Sequence, residues 1–105
     1  MIYKLKRQSD FDKLFKKGKK CYAKSLMMLY FPSDSLKIGY SVSKKHGKAV
    51  KRNRIKRLLR AAVREVFKDS ECKAYIVIVP RVKEEYLYKE YLGDIVYLKK
   101  KENLK

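Results

Sequence analysis

Residues 49–68 have the sequence AVKRNRIKRLLRAAVREVFK, in which the apolar residues repeat with the period of an α-helix. They recur at intervals of three and four residues, which brings them onto one side of a helix as a continuous stripe. The members of this stripe are Ile55, Leu58, Leu59, Ala62, Val63 and Val66. The sequence therefore predicts an amphipathic helix over about residues 49–68 that packs on the rest of the protein through this stripe.

The segments on either side of this helix are predicted to be β-strands. Apolar residues alternate over residues 36–42, which is the period of a strand, and residues 74–79 are rich in β-branched residues and precede Pro80. The alternating residues that share one face are Leu36, Ile38, Tyr40 and Val42. Because a connection that contains a helix commonly joins parallel strands, we expect these two strands to be parallel.

A shorter helix is predicted near the start of the chain, over about residues 9–17. Its apolar residues, at helical spacing, are Phe11, Leu14 and Phe15. Ser9 and Asp12 resemble a capping box at its beginning. Gly18 suits the position that follows its last turn.

Residues 26–31 are all apolar or aromatic and are followed by Pro32, which is typical of a strand buried on both faces. Because residues 33–35 form a polar turn, we expect this strand to make a hairpin with residues 36–42. Residues 21–23 are expected to add a further short strand.

A last amphipathic helix is indicated by Tyr88, Tyr91, Leu92, Ile95 and Leu98. The order of elements is then α-β-β-β-α-β-α. We expect an α+β fold with a small mixed sheet packed with helices, forming one domain over residues 1–105. Its ordered core is expected to span about residues 5–98, followed by a basic tail.

The charge balance narrows the classes of partner. The chain has 29 lysines and arginines against 11 aspartates and glutamates, a formal net charge of +18. Such self-repulsion favours a polyanionic partner, nucleic acid first and an anionic membrane second. No apolar stretch reaches the roughly 18 residues of a membrane-spanning helix, and no signal peptide or lipid-attachment motif is recognised. We therefore expect a cytoplasmic protein with no membrane partner.

Cysteine and histidine usage argues against a zinc site. Cys21 and Cys72 are far apart in sequence, and the chain has a single histidine. A zinc site needs about four such ligands. We expect two reduced, semi-buried thiols and no metal site in the protein.

Residues 44–64 contain ten basic residues and no acidic one. They are Lys44, Lys45, Lys48, Lys51, Arg52, Arg54, Lys56, Arg57, Arg60 and Arg64. An ordinary surface helix mixes charges of both signs, because like charges one turn apart destabilise it. A row of cations on one helix instead meets several phosphates and releases their counterions, which predicts an RNA-binding surface here.

Single residues in and near this surface admit more than one interpretation. Asn53 is either solvated or reads a base edge or 2′-hydroxyl. Gly47 permits a positive φ in the loop before the helix, and His46 is expected to be a surface loop residue. Phe11 and Phe15 either pack in the core or leave a ring lining an open groove.

No nuclease site is found in the sequence. A metal-dependent nuclease needs converging carboxylates, and no DxD-like pairing is present. The candidate acids are scattered over helix exteriors or loops: Glu65, Asp69, Glu71, Glu84 and Glu85. His46 lacks a second group that would order it as a catalytic base. We predict no catalytic residue in this chain.

Residues 41–60, SVSKKHGKAVKRNRIKRLLR, closely resemble the signature of the bacterial ribonuclease P protein component. The core of the match is the Arg-Asn-Arg triplet at 52–54 and the cations that follow it. Upstream, residues 10–18 resemble the first-helix pattern of the same family. The resemblance covers roughly residues 5–98.

The resemblance implies a ribonucleoprotein enzyme that removes the 5′ leader from precursor transfer RNA. In that family the RNA subunit carries out the hydrolysis, which requires Mg²⁺, and the protein binds this RNA, in an expected 1:1 complex with a monomeric protein. The protein also holds the single-stranded leader in a cleft between its first helix and the sheet. The implied fold resembles ribosomal protein S5 domain 2, with a left-handed βαβ crossover where most crossovers are right-handed.

The charge pattern and the resemblance together assign RNA binding to Lys44, Lys45, Lys48, Arg52, Asn53, Arg54, Lys56, Arg57, Arg60 and Arg64. The resemblance implies a leader cleft lined by Phe11, Phe15, Met27 and Leu29. Family members often have a tyrosine where this chain has Leu29. Tyr30 beside it points to the opposite face, so we expect apolar contact from this strand.

Two other functions remain open from the sequence. One is a general structural RNA-binding module such as a ribosomal protein, which shares the expected salt dependence but not leader discrimination. The other is a self-sufficient nuclease. Cleavage of precursor by the protein without RNA, lost on Glu65→Ala, would favour the latter.

Overall fold

Three α-helices and a five-stranded mixed sheet make up the chain in the computed structural model, which describes residues 2–104. The helices are α1 (Gln8–Lys17), α2 (Ala49–Phe67) and α3 (Tyr88–Lys101), with a short 3-10 helix at Lys44–His46. The strands are β1 (Tyr3–Lys4), β2 (Lys19–Tyr22), β3 (Leu26–Pro32), β4 (Lys37–Tyr40) and β5 (Ala74–Pro80). The predicted α+β class is confirmed.

The order of strands across the sheet is β1-β4-β5-β3-β2. As predicted, β4 and β5 are parallel and are joined through α2. The predicted hairpin between residues 26–31 and 36–42 is wrong, because β5 lies between these strands and β3 pairs with β2 instead. Ile76, Val77 and Ile78 are fully buried, so β5 needs a neighbour on each edge and a helix layer on each face. The hand of the β4–α2–β5 crossover stays a prediction.

The two faces of the sheet carry cores of different size. The larger core lies between the sheet and helices α2 and α3, and it buries most of the predicted stripe, with Leu58 and Val66 partly exposed. The smaller core lies under α1 and consists of Leu5, Leu14, Leu29 and Val77. Because α2 packs through its apolar stripe, most of its cations face outward.

Helix α1 begins and ends differently from the sequence prediction. Its first cap is Arg7, without a capping side chain among the described residues, so the predicted Ser9 capping box is wrong. Gly18 does follow the last turn, but with φ −66° in an extended conformation. A Cβ on Gly18 would lie 2.5 Å from the carbonyl oxygen of Leu14. Close approach to the helix therefore explains this glycine.

Secondary structure and core packing extend beyond residues 5–98 on both sides of the described chain. The sequence missed β1, which pairs with β4 through Tyr3 and Lys4. At the other end α3 continues to Lys101, and Leu104 packs against the larger core. Glu102 accepts a hydrogen bond of 2.9 Å from the Tyr30 hydroxyl and pairs with a lysine of β2. The segment predicted as a basic tail is thus tied to the sheet.

Within residues 2–104, no helix combines the length and apolar character needed to cross a membrane.

Candidate nucleic-acid interface

Residues 43–48, which we call the basic loop, precede α2 and have a defined backbone. The short helix Lys44–His46 is capped by Ser43, whose hydroxyl accepts a hydrogen bond of 3.3 Å from the Lys45 N–H. Gly47 follows with φ 117°, a conformation that favours glycine, as predicted. The loop thereby presents Lys44 and Lys45 as exposed cations at a fixed place beside the start of α2.

His46 holds this loop against the sheet, and its prediction as a surface residue is wrong. Its side chain is buried. Nε2 lies 2.7 Å from the Pro80 carbonyl oxygen, to which it donates, and Nδ1 accepts from the Ser43 N–H at 3.1 Å. The ring also packs near Tyr86, with 6.3 Å between ring centroids. The sequence contains no local signal for this contact, because His46 and Pro80 are 34 residues apart.

The cations of α2 divide into two groups. At 100° per residue, Asn53, Lys56 and Arg60 lie along one side of the helix, and all three line a space shared with the sheet edge. Arg54 and Arg57 lie farther round the helix and are exposed. The predicted RNA-binding surface therefore has an inner row beside the sheet and an outer face toward solvent.

Arg52 is the least accessible cation of the triplet. It is partly buried, and its Nε atom has no hydrogen-bond partner among residues 2–104. Packing thus fixes the base of this side chain close to the protein body.

A cavity of about 260 Å³ joins the inner row to helix α1. We call it the central cavity; its lining residues are Lys4, Leu5, Phe11, Gly39, Tyr40, Asn53, Lys56 and Arg60. Because β1 pairs only with Lys37 and Ile38, the edge of β4 is free at the next two residues. Helices on opposite faces of the sheet reach the same space there.

Phe11 closes one wall of the central cavity through an unusually close contact with the sheet. An ideal Cβ on Gly39 would lie 2.5 Å from Phe11 Cζ and 3.1 Å from Leu5 Cβ. The absence of a side chain at Gly39 is what lets the aromatic ring lie against β4. Phe11 therefore both packs on the smaller core and lines the cavity, which combines the two alternatives left open by the sequence.

The other predicted leader-cleft residues lie apart from the central cavity. Phe15 is 41% exposed on α1, so it is not a core residue. Met27 is partly buried on the α1 side of the sheet. Leu29 has no exposed surface, so direct contact of its side chain with a ligand, as predicted, does not fit this structure; it supports α1 from below.

Tyr22 is an exposed aromatic residue that the sequence analysis did not assign to the site. It is 56% exposed and is the cross-strand partner of Met27. Tyr30, by contrast, packs on the larger core with its hydroxyl on Glu102. As expected from strand alternation, Tyr30 does not replace the tyrosine missing at Leu29.

Burial affects the titration of Tyr40, which lies at the floor of the interface. Its removal from water raises the pKa of the phenol to about 12, and the charges of Arg60 and Arg64 act in the opposite sense. The phenol is therefore neutral at physiological pH and can donate a hydrogen bond.

Phe15 lies one helical turn from Phe11 on α1, so a leader that runs along α1 to the central cavity would contact its exposed ring. We expect Phe15→Ala to weaken binding of such a leader by about fivefold or more, as for the loss of one stacked base. Because Phe15 is partly exposed, the free energy of unfolding should change by less than about 1 kcal/mol. Tyr97→Ala removes a similarly exposed ring on α3 and should leave leader binding unchanged. Unfolding of the Phe15 variant would show that this ring is required for packing.

The side chains that could ligate a metal ion are dispersed over the described part of the chain. No group of three or more His, Cys, Asp or Glu side chains in residues 2–104 could hold a metal ion. Glu65 pairs with Lys68 at 3.6 Å on the surface of α2. Cys21 and Cys72 are free thiols, and both are buried where semi-buried side chains were predicted. Burial raises the pKa of the Cys21 thiol to about 11, so it stays protonated.

Comparisons with known proteins agree with this geometry. The chain matches the family model described as Ribonuclease P over residues 2–102. It is 37% identical to the ribonuclease P protein component of Bacillus pumilus, over 93% of this chain and 86% of that protein. Solved ribonuclease P proteins superpose on it, with a TM-score of 0.84 for Staphylococcus aureus (26% identity; 97% and 96% of the two chains) and 0.81 for Thermotoga maritima (28%; 93% and 96%). The chain therefore belongs to the ribonuclease P protein family and is a protein subunit of the transfer RNA-processing enzyme ribonuclease P.

Proposed function

We propose that this chain binds the catalytic RNA of ribonuclease P through the basic loop and the outer face of α2, and holds the 5′ leader of precursor transfer RNA in the central cavity. This proposal rests on the observation that one cavity is lined by Phe11, Asn53, Lys56 and Arg60. These residues come from opposite faces of the sheet. Together they offer a ring for a base and cations for the phosphates beside it.

The two groups of cations on α2 support two separate binding roles, one for the leader and one for the RNA subunit. Lys56 and Arg60 line the central cavity and would meet the leader. Arg54 and Arg57 project to solvent and, with the loop cations Lys44 and Lys45, would meet the larger RNA. Arg guanidinium groups suit both tasks, since they bind phosphate through two parallel hydrogen bonds.

Catalysis itself belongs, in this proposal, to the RNA subunit. Mg²⁺ held by that RNA, and not by residues of this chain, would supply the hydrolytic chemistry. The protein contributes substrate affinity: it neutralises phosphates of both RNAs and orients the leader relative to the cleavage site. We further propose a monomeric protein in a 1:1 complex with its RNA, acting in the cytoplasm where precursor transfer RNA is made.

The test compares precursor with mature transfer RNA. The protein is reconstituted with a bacterial ribonuclease P RNA, and the dissociation constants of both substrates and site-specific 5′ cleavage at low Mg²⁺ are measured. Tighter binding of precursor and cleavage that depends on the protein would support the proposal. Equal affinity for the two would overturn leader binding and favour a general RNA-binding module. Cleavage by the protein without RNA would overturn the assignment of catalysis to the RNA.

We expect Arg60→Ala and Arg54→Ala to impair two different binding steps. Arg60→Ala should reduce the preference for precursor over mature transfer RNA and lower the salt dependence of precursor binding by about one phosphate. Arg54→Ala should weaken assembly with the RNA subunit and leave the preference unchanged. Lys68→Ala removes a cation at the C-terminal end of α2 and is the matched control for both arginine variants. Identical effects of the two arginine variants would contradict the proposed division.

A further inference from the structure

We propose that a second cavity, between β1 and α2, holds one nucleobase of the leader beyond the nucleotide in the central cavity. This inference rests on the proposed function, since it adds a contact for the same RNA strand. The cavity has a volume of about 180 Å³, several times the roughly 30 Å³ that one water molecule occupies. It is therefore large enough for a planar ring system rather than a single ordered water.

The floor of the second cavity is apolar. Ile38 and Val63, each 1% exposed, lie beneath it, and its accessible apolar surface comes from the partly buried Ile2 and from Tyr3, which is 51% exposed. An apolar floor favours the flat face of a base, which is poorly hydrated compared with its edges and with phosphate. It disfavours a bare anion, which would lose its hydration there without enough hydrogen bonds in return.

The rim of the second cavity is cationic. Arg60 and Arg64 stand one turn apart on α2, about 6 Å along the helix axis. No carboxylate is among the described residues that line the cavity. An apolar floor below two guanidinium groups matches a nucleotide, which has an apolar ring face and an anionic phosphate on either side.

The neutral phenol of Tyr40 adds a polar contact. It lines the cavity from β4, beside Arg60, and can donate a hydrogen bond to a ring nitrogen or carbonyl oxygen of the base. This arrangement gives the base both a surface to lie on and one edge to recognise.

Continuity with the central cavity identifies the strand that would occupy the site. The two cavities share Lys4, Tyr40 and Arg60. A single strand can thus pass Arg60 and fill both cavities in sequence, without leaving the protein surface. A separate segment of the RNA subunit, or an acidic peptide, would have to share these three residues with the leader.

The test uses precursor transfer RNAs whose 5′ leaders are lengthened one nucleotide at a time, bound to the reconstituted ribonucleoprotein. For the unmodified protein we expect affinity to rise once when the leader reaches the central cavity and again at a greater length. Arg64→Ala should abolish only the second rise, a loss of about fivefold or more for long leaders. Lys68→Ala should keep both rises.

Three outcomes would overturn the inference. Arg64→Ala could match the unmodified protein at every leader length, or could weaken binding equally at every length. It could also weaken binding of the RNA subunit without precursor by the same factor, which would assign Arg64 to that RNA. If no leader increases the affinity of the unmodified protein, the proposed leader binding is refuted. The proposed base site in the second cavity is then refuted as well.

A fluorescence measurement tests the same site without depending on Arg64. The chain contains no tryptophan, so Ile2→Trp places a single indole at the edge of the second cavity. Long leaders should quench this indole, and leaders that end in the central cavity should not. Tyr97→Trp, on α3, should respond to neither. Equal quenching by short and long leaders would contradict a base in the second cavity.

Discussion

Gly39→Ala is expected to push Phe11 away from the sheet and to remove one wall of the central cavity. The added methyl group would lie 2.5 Å from Phe11 Cζ and 3.1 Å from Leu5 Cβ. Either the Phe11 ring must rotate off β4 or α1 must shift, and Leu5, which belongs to the smaller core, must also move. Overpacking of this kind typically costs about 1–3 kcal/mol. Leader affinity should fall together with stability, because Phe11 serves both.

The chain offers a matched control for this variant. Gly93 lies within α3, and a Cβ at that position would have nothing within 4 Å among the described residues. Gly93→Ala should therefore stabilise the protein, by about 0.5–1 kcal/mol. Urea unfolding of both variants and leader binding at low temperature give the comparison. If Gly39→Ala proves as stable as Gly93→Ala, the ring is not held against β4 as described.

His46→Ala is expected to lower the free energy of unfolding by about 2–4 kcal/mol. The substitution leaves the Pro80 carbonyl oxygen and the Ser43 N–H without their ring partners. It also opens space beside Tyr86. The basic loop loses its bridge to the end of β5, so RNA affinity should fall even at temperatures where the variant is fully folded.

The readouts for His46 are urea unfolding and binding to the RNA subunit. Lys45→Ala, next to it in the loop and exposed, is the control. It should lower RNA affinity through lost charge with little change in stability. Reduced RNA affinity with unchanged stability for His46→Ala would mean that this ring acts by touching RNA.

The elements that the sequence predicted well are those whose burial follows a local period. The stripe that begins at Ile55 predicts α2 to within one residue of its observed end at Phe67. The alternation from Leu36 to Val42 predicts which side chains of β4 face the larger core. The cations proposed to bind RNA were predicted for a similar reason, because an unbalanced run of charge is visible without knowledge of the fold.

The features that the sequence did not predict depend on contacts between distant segments. No local sequence pattern indicates that β5 lies between β3 and β4, or that His46 contacts Pro80. The central cavity is of the same kind: Phe11, Gly39 and Asn53 lie in three separate elements and become neighbours only when α1 and α2 pack on opposite faces of the sheet. Leu29 was placed in the cleft because of the family resemblance, and strand alternation gives its face but not the helix that covers it.

The two edges of the sheet bear on how this highly charged protein behaves before it meets RNA. β1 is two residues long, and β2 carries the exposed Lys19 and Lys20. A short edge offers few free backbone groups, and a lysine-bearing edge repels a second copy of itself. Chains that have not yet found an RNA are thus protected from joining edge to edge into larger sheets.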